Sequence, residues 1–341
     1  MDTLTHALSG ALLARATARK DAPRPSIVRR VAAGFLACAA PDLDFVSGFF
    51  GPVAYLENHR GVTHSLVMLP LWALVFAWLL AKILREPRGW RALYAVTAMS
   101  IGLHIAGDVI TGYGTMVLAP FSDWRAALGT TFIIDLWFSG IIVAGLVFSA
   151  FLRRTRIPSV AALAFLACYV GFQYIQKEKA LEFGELFAKE HGLQDAQITV
   201  HPRPPTPFNW TVFVSDGDTY RFANVNLARQ EAKPYRPGDG FIARIDSPYL
   251  PLAQAAWTTR TRFGAAEAPL VREAWNSDAL RVYRWFAELP AFDGLGTASE
   301  CVWFVDLRFL IPGREGMSFR YGACRDRPGA PWRLAVPGGL F

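Results

Sequence analysis

Long apolar runs fill the first half of the chain, whereas short apolar segments separated by Gly, Pro and Asp turns fill the second. A helix needs about 20 predominantly apolar residues to cross a bilayer. Four stretches meet that length, 31–50, 62–84, 92–112 and 131–152, and a fifth, 158–176, is slightly shorter but carries no charge. The opening stretch, 4–18, ends on Arg15, Arg19 and Lys20. It is short for a span and has no signal-peptide cleavage pattern, which predicts a half-buried or tilted helix retained in the mature protein. Residues 177–191 read as an amphipathic juxtamembrane helix, with Leu181, Phe183, Leu186 and Phe187 set among charges. Strands are then predicted at 210–214, 219–226, 240–245, 301–310, 317–324 and 332–336, which are rich in β-branched and aromatic residues, and a helix at 279–289. The Pro-rich 202–207 predicts a hinge. The expected fold is a polytopic α-helical membrane domain over 1–176, with about five spans plus a short N-terminal helix, followed by a soluble, mainly β (α+β) domain over 177–341.

Composition agrees with a membrane protein: 52% of residues are apolar and only 18% charged, with a net charge of +7. Residues 1–176 hold 15 Lys/Arg against 9 Asp/Glu, and residues 177–341 hold 20 against 19, so +6 of the net charge lies in the apolar half. Basic residues flanking spans explain this better than a nucleic-acid surface, which needs a basic stripe on a folded face. They cluster at Arg15, Arg19, Lys20, Arg24, Arg29 and Arg30, at Lys82, Arg85, Arg88 and Arg91, and at Arg153, Arg154 and Arg156. The positive-inside rule puts all three groups in the cytoplasm. The expectation is a multi-pass protein of a bacterial-type inner membrane with its C-terminal domain extracytoplasmic. In that compartment Cys301 and Cys324, on neighbouring predicted strands, can bridge. The alternative is two buried thiols, and Cys38 and Cys168 read as small core residues.

Ionisable side chains are costly inside a membrane and need a reason to be there. His6, Asp42, Asp44, His59, His64, His104, Asp108 and Asp135 all lie in or beside apolar segments of the first half. In the expected topology every one falls on the outer side of the bilayer. His104 and Asp108 are an i, i+4 pair, which puts imidazole and carboxylate on one helix face, and these are groups that Zn²⁺ and similar ions take. Pro41-Asp42-Leu43-Asp44 reads as a site or a turn, and His59-Arg60-Gly61-Val62-Thr63-His64-Ser65 as a ligand loop or an interfacial loop. Asp135 reads as a ligand or a helix-start carboxylate, His6 as a ligand or a residue near a helix cap. Arg60 offers a planar fork suited to an oxyanion.

At these residues the sequence resembles the membrane-bound metal-dependent hydrolases of bacteria and archaea, the group that includes a LexA-binding inner-membrane protein. The matching features are Thr5-His6 with Gly10, Pro41-Asp42-Leu43-Asp44, the His59–Ser65 block, His104 and Asp108 followed by Thr111 and Gly114, and Ile134-Asp135. Further likeness is expected at 207–210 and 306–309. A fainter similarity, to zinc-dependent phospholipase C, implies His6, Asp42 or Asp44, His64, His104 and Asp108 as ligands. The chain lacks the residues that complete a three-zinc cluster, which leaves one or two ions.

Together these readings predict a metal-dependent hydrolase acting on an ester or phosphoester of a membrane lipid or lipid-linked substrate at the outer leaflet, with no nucleic-acid partner. One or two divalent ions, Zn²⁺ first among them, would be held by His64, His104 and Asp108, with Asp42, Asp44, His59 and His6 sharing the rest. Asp44 or Asp135 would act as base or orient the histidines, and Arg60 would hold substrate oxygens. The alternatives are an ion-coupled transporter, in which buried Asp and His relay protons or cations, and a non-catalytic scaffold with a binding outer domain.

Overall fold

The computed structural model describes residues 1–19, 24–264, 268–296, 300–313, 319–337 and 339–340. Lys20 of the first basic group and Met317 of a predicted strand lie outside the described residues. Contacts divide the chain into two units, Met1–Ser47 with Asn58–Ile175, and Gly48–Glu57 with Gln176–Phe341.

The first unit is helical. α1 (Thr3–Ala16) is capped by Asp2, whose carboxylate accepts from Thr5 N. The helix has no single apolar face, because Thr5, His6, Ala7, Ser9, Gly10, Ala11, Leu12 and Ala14 are all buried. It therefore lies inside the bundle instead of half-buried at its edge, packed on α2 (Arg24–Ala39), α5 (Arg91–Val109) and α6 (Leu136–Phe151). Small residues make this possible: a Cβ on Gly10 would run into the Gly34 carbonyl, and one on Gly34 would lie 2.6 Å from the Ala14 Cβ. Close backbone approach of this kind is how helices associate where lipid removes the hydrophobic driving force.

Pro41 has no amide donor to continue α2, and the chain proceeds as a 3-10 helix, Ala40–Phe50. α3 (Pro52–Asn58) and a short 3-10 turn, Val62–His64, precede α4 (Leu69–Ile83). The expected span 62–84 is thus broken, since Pro52–His64 and Leu69–Ile83 meet at 82°. Among the described residues, three helices are long and apolar enough to cross a membrane, Ser26–Phe50, Arg91–Val109 and Ile157–Glu190, or four if the bent pair counts as one span. Leu136–Phe151 is a shorter apolar helix. Large apolar side chains stand exposed along these elements, among them Leu71, Trp78, Val147, Phe148 and Phe165, as lipid-facing residues would. α7 (Ile157–Glu190) runs unbroken for 34 residues, so the predicted juxtamembrane helix is its continuation and not a separate element.

The second unit is mainly β. One sheet runs β1 (Gln197–Pro202), β2 (Asn209–Asp216), β3 (Thr219–Asn226), with β4 (Leu250–Pro251) and β5 (Trp257–Thr261) also pairing with β3. The other runs in the order β10 (Gly339–Leu340), β9 (Arg333–Val336), β8 (Arg320–Arg325), β7 (Glu300–Asp306), β6 (Pro290–Leu295). Both faces of β2 are covered. Trp210 and Val212 pack with Ala180, Leu181 and Phe183 of α7, while Phe213 packs with Ala291, Val305 and Leu307 of the second sheet's side. Gly184 lets α7 approach closely, since a Cβ there would lie 2.6 Å from Ile198 Cγ2.

Three expectations change here. Residues 240–245, read as a strand, form α8 (Phe241–Asp246), because Phe241, Ile242 and Ile245 recur at helical and not alternating spacing. The strand read at 301–310 stops at Asp306, whose carboxylate accepts from Arg308 N and starts a 3-10 turn. The predicted hinge at 202–207 belongs to the tight β1–β2 connection, tied by Arg203 N donating to Asn209 O at 2.8 Å. β1, β5, β6 and the helix α9 (Ala268–Asn276) have no counterpart in the sequence reading.

Candidate metal centre

Four buried side chains from separate segments converge in the helical unit: Asp42 just past α2, His64 before α4, and His104 and Asp108 near the end of α5. His64 Nε2 lies 2.9 Å from His104 Nε2 and 3.1 Å from Asp108 Oδ2. His104 Nε2 is 3.3 Å from the same oxygen. Asp42 Oδ1 completes the group at 3.7 Å from His64 Nε2 and 3.6 Å from His104 Nε2. A tetrahedral ion with ligand bonds of about 2.0–2.2 Å sets its ligand atoms roughly 3.3–3.6 Å apart. The five separations above, 2.9–3.7 Å, bracket that range.

The outward nitrogens decide what the inward ones can do. His104 Nδ1 donates to the Cys38 carbonyl at 2.6 Å, and His64 Nδ1 faces Thr63 Oγ1 at 2.9 Å and Asp44 Oδ2 at 3.2 Å. With a proton on each Nδ1, both Nε2 atoms carry bare lone pairs. Asp108 Oδ2 has no hydrogen-bond donor either, nor has Asp42 Oδ2, beside the Oδ1 that faces the histidines. Lone pairs and carboxylate charge thus meet in a space where His64, His104 and Asp108 have no solvent exposure. Without a cation this arrangement costs several kcal/mol per uncompensated charge, roughly, and a divalent ion offsets most of it.

The two aspartates do different jobs because a 3-10 helix turns about 120° per residue, so side chains two apart diverge. Asp42 faces the cluster. Asp44 stands behind His64, accepting from Thr63 Oγ1 and Arg60 N at 2.9 Å each and pairing with His59 Nδ1 at 2.7 Å. Asp44 and His59 therefore support His64 instead of joining the four atoms. The rest of the His59–Ser65 block fixes the loop. Arg60 adopts a left-handed φ of +59°, its carbonyl accepts from Met116 N, and Ser65 Oγ donates to Ala119 O at 2.5 Å.

Arg60, expected to hold substrate oxygens, is buried and engaged, with Nη2 2.9 Å from Asp108 Oδ1 and Nη1 2.9 Å from Thr111 Oγ1. Asp108 Oδ1 also meets His6 Nε2 at 3.1 Å and the Met1 nitrogen. His6 stacks on His104 with ring centroids 3.7 Å apart, and Gly107 makes room, since a Cβ there would lie 3.0 Å from His6 Cε1. His6 and Cys38 also form a possible group with His104, but the outward nitrogen of His104 is already used by Cys38 O. Asp135 does not join the cluster. It caps α6 by accepting from Trp137 N and Phe138 N and takes hydrogen bonds from Tyr169 and Gln173, the helix-start reading of that residue. The Cys38 carbonyl was invisible in sequence, being backbone, whereas Thr63 was signalled by its place beside His64.

Residues 1–180, which carry every group of the cluster, match the model of a family described as YdjM inner membrane protein. The chain belongs to the YdjM inner membrane protein family. It is 35% identical over 109 residues to "Inner membrane protein YdjM" of Escherichia coli (strain K12), covering 29% of this chain and 52% of the relative. It is 27% identical over 179 residues to "Uncharacterized protein YfhP" of Bacillus subtilis (strain 168), 52% of this chain and 54% of that one. The chain thus spans about half the length of the curated relatives it matches. No solved structure matches it. The YdjM match and the exposed apolar helices make this an inner-membrane-type protein, while neither printed name states an activity. The match ends at 180, so the likeness expected at 207–210 and 306–309 gains nothing from it. There Asn209 binds Asp246 at 2.9 Å and Arg308 pairs with Asp306 at 2.7 Å, both as internal ties of the β unit.

Replacing Asp44 by Asn should lower metal affinity roughly 10–100-fold, because the amide cannot balance the His64 Nδ1–H while also accepting from Thr63 and Arg60. Competition with a graded chelator measures this. An unchanged affinity would show that Asp44 does not tune His64.

Proposed function

We propose that the protein is a membrane hydrolase holding one divalent ion, Zn²⁺ in the first instance, on His64, His104, Asp108 and Asp42, and acting on an ester or phosphoester of a lipid or lipid-linked substrate at the outer leaflet. The observation that carries this reading is the convergence of two bare imidazole nitrogens with two carboxylates, each of which keeps one oxygen, Asp42 Oδ2 and Asp108 Oδ2, without a donor, at a buried point of the bundle. When bound, the ion would supply Lewis acidity and, with Asp42 as the most distant and exchangeable of the four groups, a position for an activated water. Asp42 has the longest separations in the group and the only solvent-accessible edge, 12% against 0% for the other three. It is placed to take the proton released as a substrate is attacked. Arg60 and His6 hold Asp108 in position, and Asp44 holds His64.

Counting the bent pair and Leu136–Phe151 as spans gives five. The cluster sits at the helix ends away from the Arg15, Arg29–Arg30, Arg91 and Arg153–Arg156 groups, which supports an outer-leaflet site and an extracytoplasmic β unit. A reporter fused after residue 341 should be active in the periplasm. A cytoplasmic signal would overturn the topology and the outer-leaflet assignment with it.

The activity test uses full-length protein in phospholipid nanodiscs, assayed for release of headgroup phosphate or fatty acid. Chelation should abolish release and Zn²⁺ restore it. Asp42→Asn should weaken ion binding less than loss of His104 or Asp108 and, with Zn²⁺ at saturation, still lower turnover about 10²–10⁴-fold. Metal-loaded protein that hydrolyses no ester or phosphoester lipid would favour the ion-coupled reading, to which the complete burial of three of the four groups is also suited.

A further inference from the structure

At the opposite end of the helical unit, arginines from two segments gather around a cavity of about 290 Å³. Arg15 and Arg19 come from the end of α1, and Arg153, Arg154 and Arg156 from the α6–α7 connection, with Thr155 between them. Arginines flanking spans usually diverge into water. Here Arg15 is pinned, its Nη2 donating to the carbonyls of Arg153 at 2.9 Å and Thr155 at 2.6 Å, which ties the connection to α1. Among the described residues, no carboxylate lies within ion-pair distance of Arg15, Arg153, Arg154 or Arg156. Among the described residues, the charge of these four arginines is unanswered by any carboxylate.

A second cavity, of about 550 Å³, shares Arg154, Thr155 and Arg156 and continues along Ile157, Val160, Ala161 and Ala164 of α7. Ile157 and Val160 are among the exposed apolar residues, at 70% and 47%. A cluster of guanidinium groups thus opens directly onto an apolar groove that runs along a spanning helix. A soluble anion would use only the first part. An anionic phospholipid uses both, its phosphate on the arginine forks and an acyl chain along α7.

We propose that this is a binding site for one anionic phospholipid of the cytoplasmic leaflet, separate from the metal cluster and independent of the hydrolase reading. The phosphate lies among Arg15, Arg153, Arg154 and Arg156, and an acyl chain lies against Val160 and Ala164. The bound lipid ties the end of α1 to the start of α7.

Native mass spectrometry of the full-length protein, exchanged into micelles with equal phosphatidylglycerol and phosphatidylcholine, tests this. The wild type should retain phosphatidylglycerol in preference to phosphatidylcholine by about tenfold or more, at about fivefold per engaged arginine. The variant carrying Arg153→Gln, Arg154→Gln and Arg156→Gln should lose that preference. Val160→Trp, which keeps every arginine but fills the groove, should also lose the retained lipid. Millimolar inorganic phosphate should not displace it. No preference in the wild type, an undiminished preference in both variants, or displacement by inorganic phosphate, which marks a soluble-anion site, would each overturn the proposal.

Discussion

His104→Ala and Asp108→Ala should each strip the protein of its ion, lowering metal affinity by more than the roughly 10–100-fold expected for a supporting residue, and should abolish hydrolysis. His104 contributes an Nε2 that is within 3.6 Å of three other candidate ligand atoms, and its ring is held by Cys38 O and the His6 face, so no neighbour can replace it. Asp108 contributes the oxygen nearer to both histidines than that of Asp42, and its other oxygen gathers Arg60, His6 and the Met1 nitrogen. Its loss would leave the Arg60 guanidinium buried without a carboxylate, so Asp108→Ala should also unfold more readily than His104→Ala. Metal analysis and thermal melting of the detergent-solubilised variants separate the two effects. His191→Ala is the control, because His191 is exposed and stacks on Phe187 in the second unit. His201 is a poor one: burial pushes its imidazole well below the usual range, and truncating it opens a hole beside Phe213. Retention of full metal content by either variant would remove that residue from the ligand set.

Breaking the Cys301–Cys324 bridge should cost the β unit about 3 kcal/mol, the entropy regained by releasing a loop of this length in the unfolded chain. The two residues are direct register partners on antiparallel β7 and β8 and are bonded, 23 positions apart in sequence. Native protein should show the bridge by non-reducing mass spectrometry. The Cys301→Ser, Cys324→Ser double variant should show an earlier denaturant midpoint, with the helical unit's metal content unchanged. Finding both thiols free in protein made with this unit in an oxidising compartment, or equal stability of the reduced and oxidised forms, would contradict the structural role given to the bridge.

Several parts of this account could be read from the chain alone because they rest on quantities that sequence carries directly. Apolar length marks membrane helices, and the strand pattern of 219–226 gives β3 with its observed bounds. Buried His and Asp in apolar runs are expensive, which marks Asp42, His64, His104 and Asp108 but equally His6, Asp44, His59 and Asp135, which the structure sets beside the four or apart from them. What was not legible depends on three-dimensional accommodation. Hydropathy sees the run 62–84 as continuous, but the anchoring of Ser65 on the carbonyls at 117 and 119 turns the chain there and frees His64 to face α5. Two aspartates two apart look equivalent until the 3-10 geometry after Pro41 sends one to the cluster and the other behind His64. The central position of α1 follows from Gly10 meeting Gly34, a contact between residues 24 apart that no local pattern reports.

If the four converging atoms hold a divalent ion, inductively coupled plasma mass spectrometry of wild-type protein, purified in detergent without added metal or chelator, should find about one Zn²⁺ or comparable divalent ion per chain. X-ray absorption on the same sample should show it bound through nitrogen and oxygen only. Protein that is folded yet carries no stoichiometric metal, and takes up none when Zn²⁺ is supplied, would contradict that assignment.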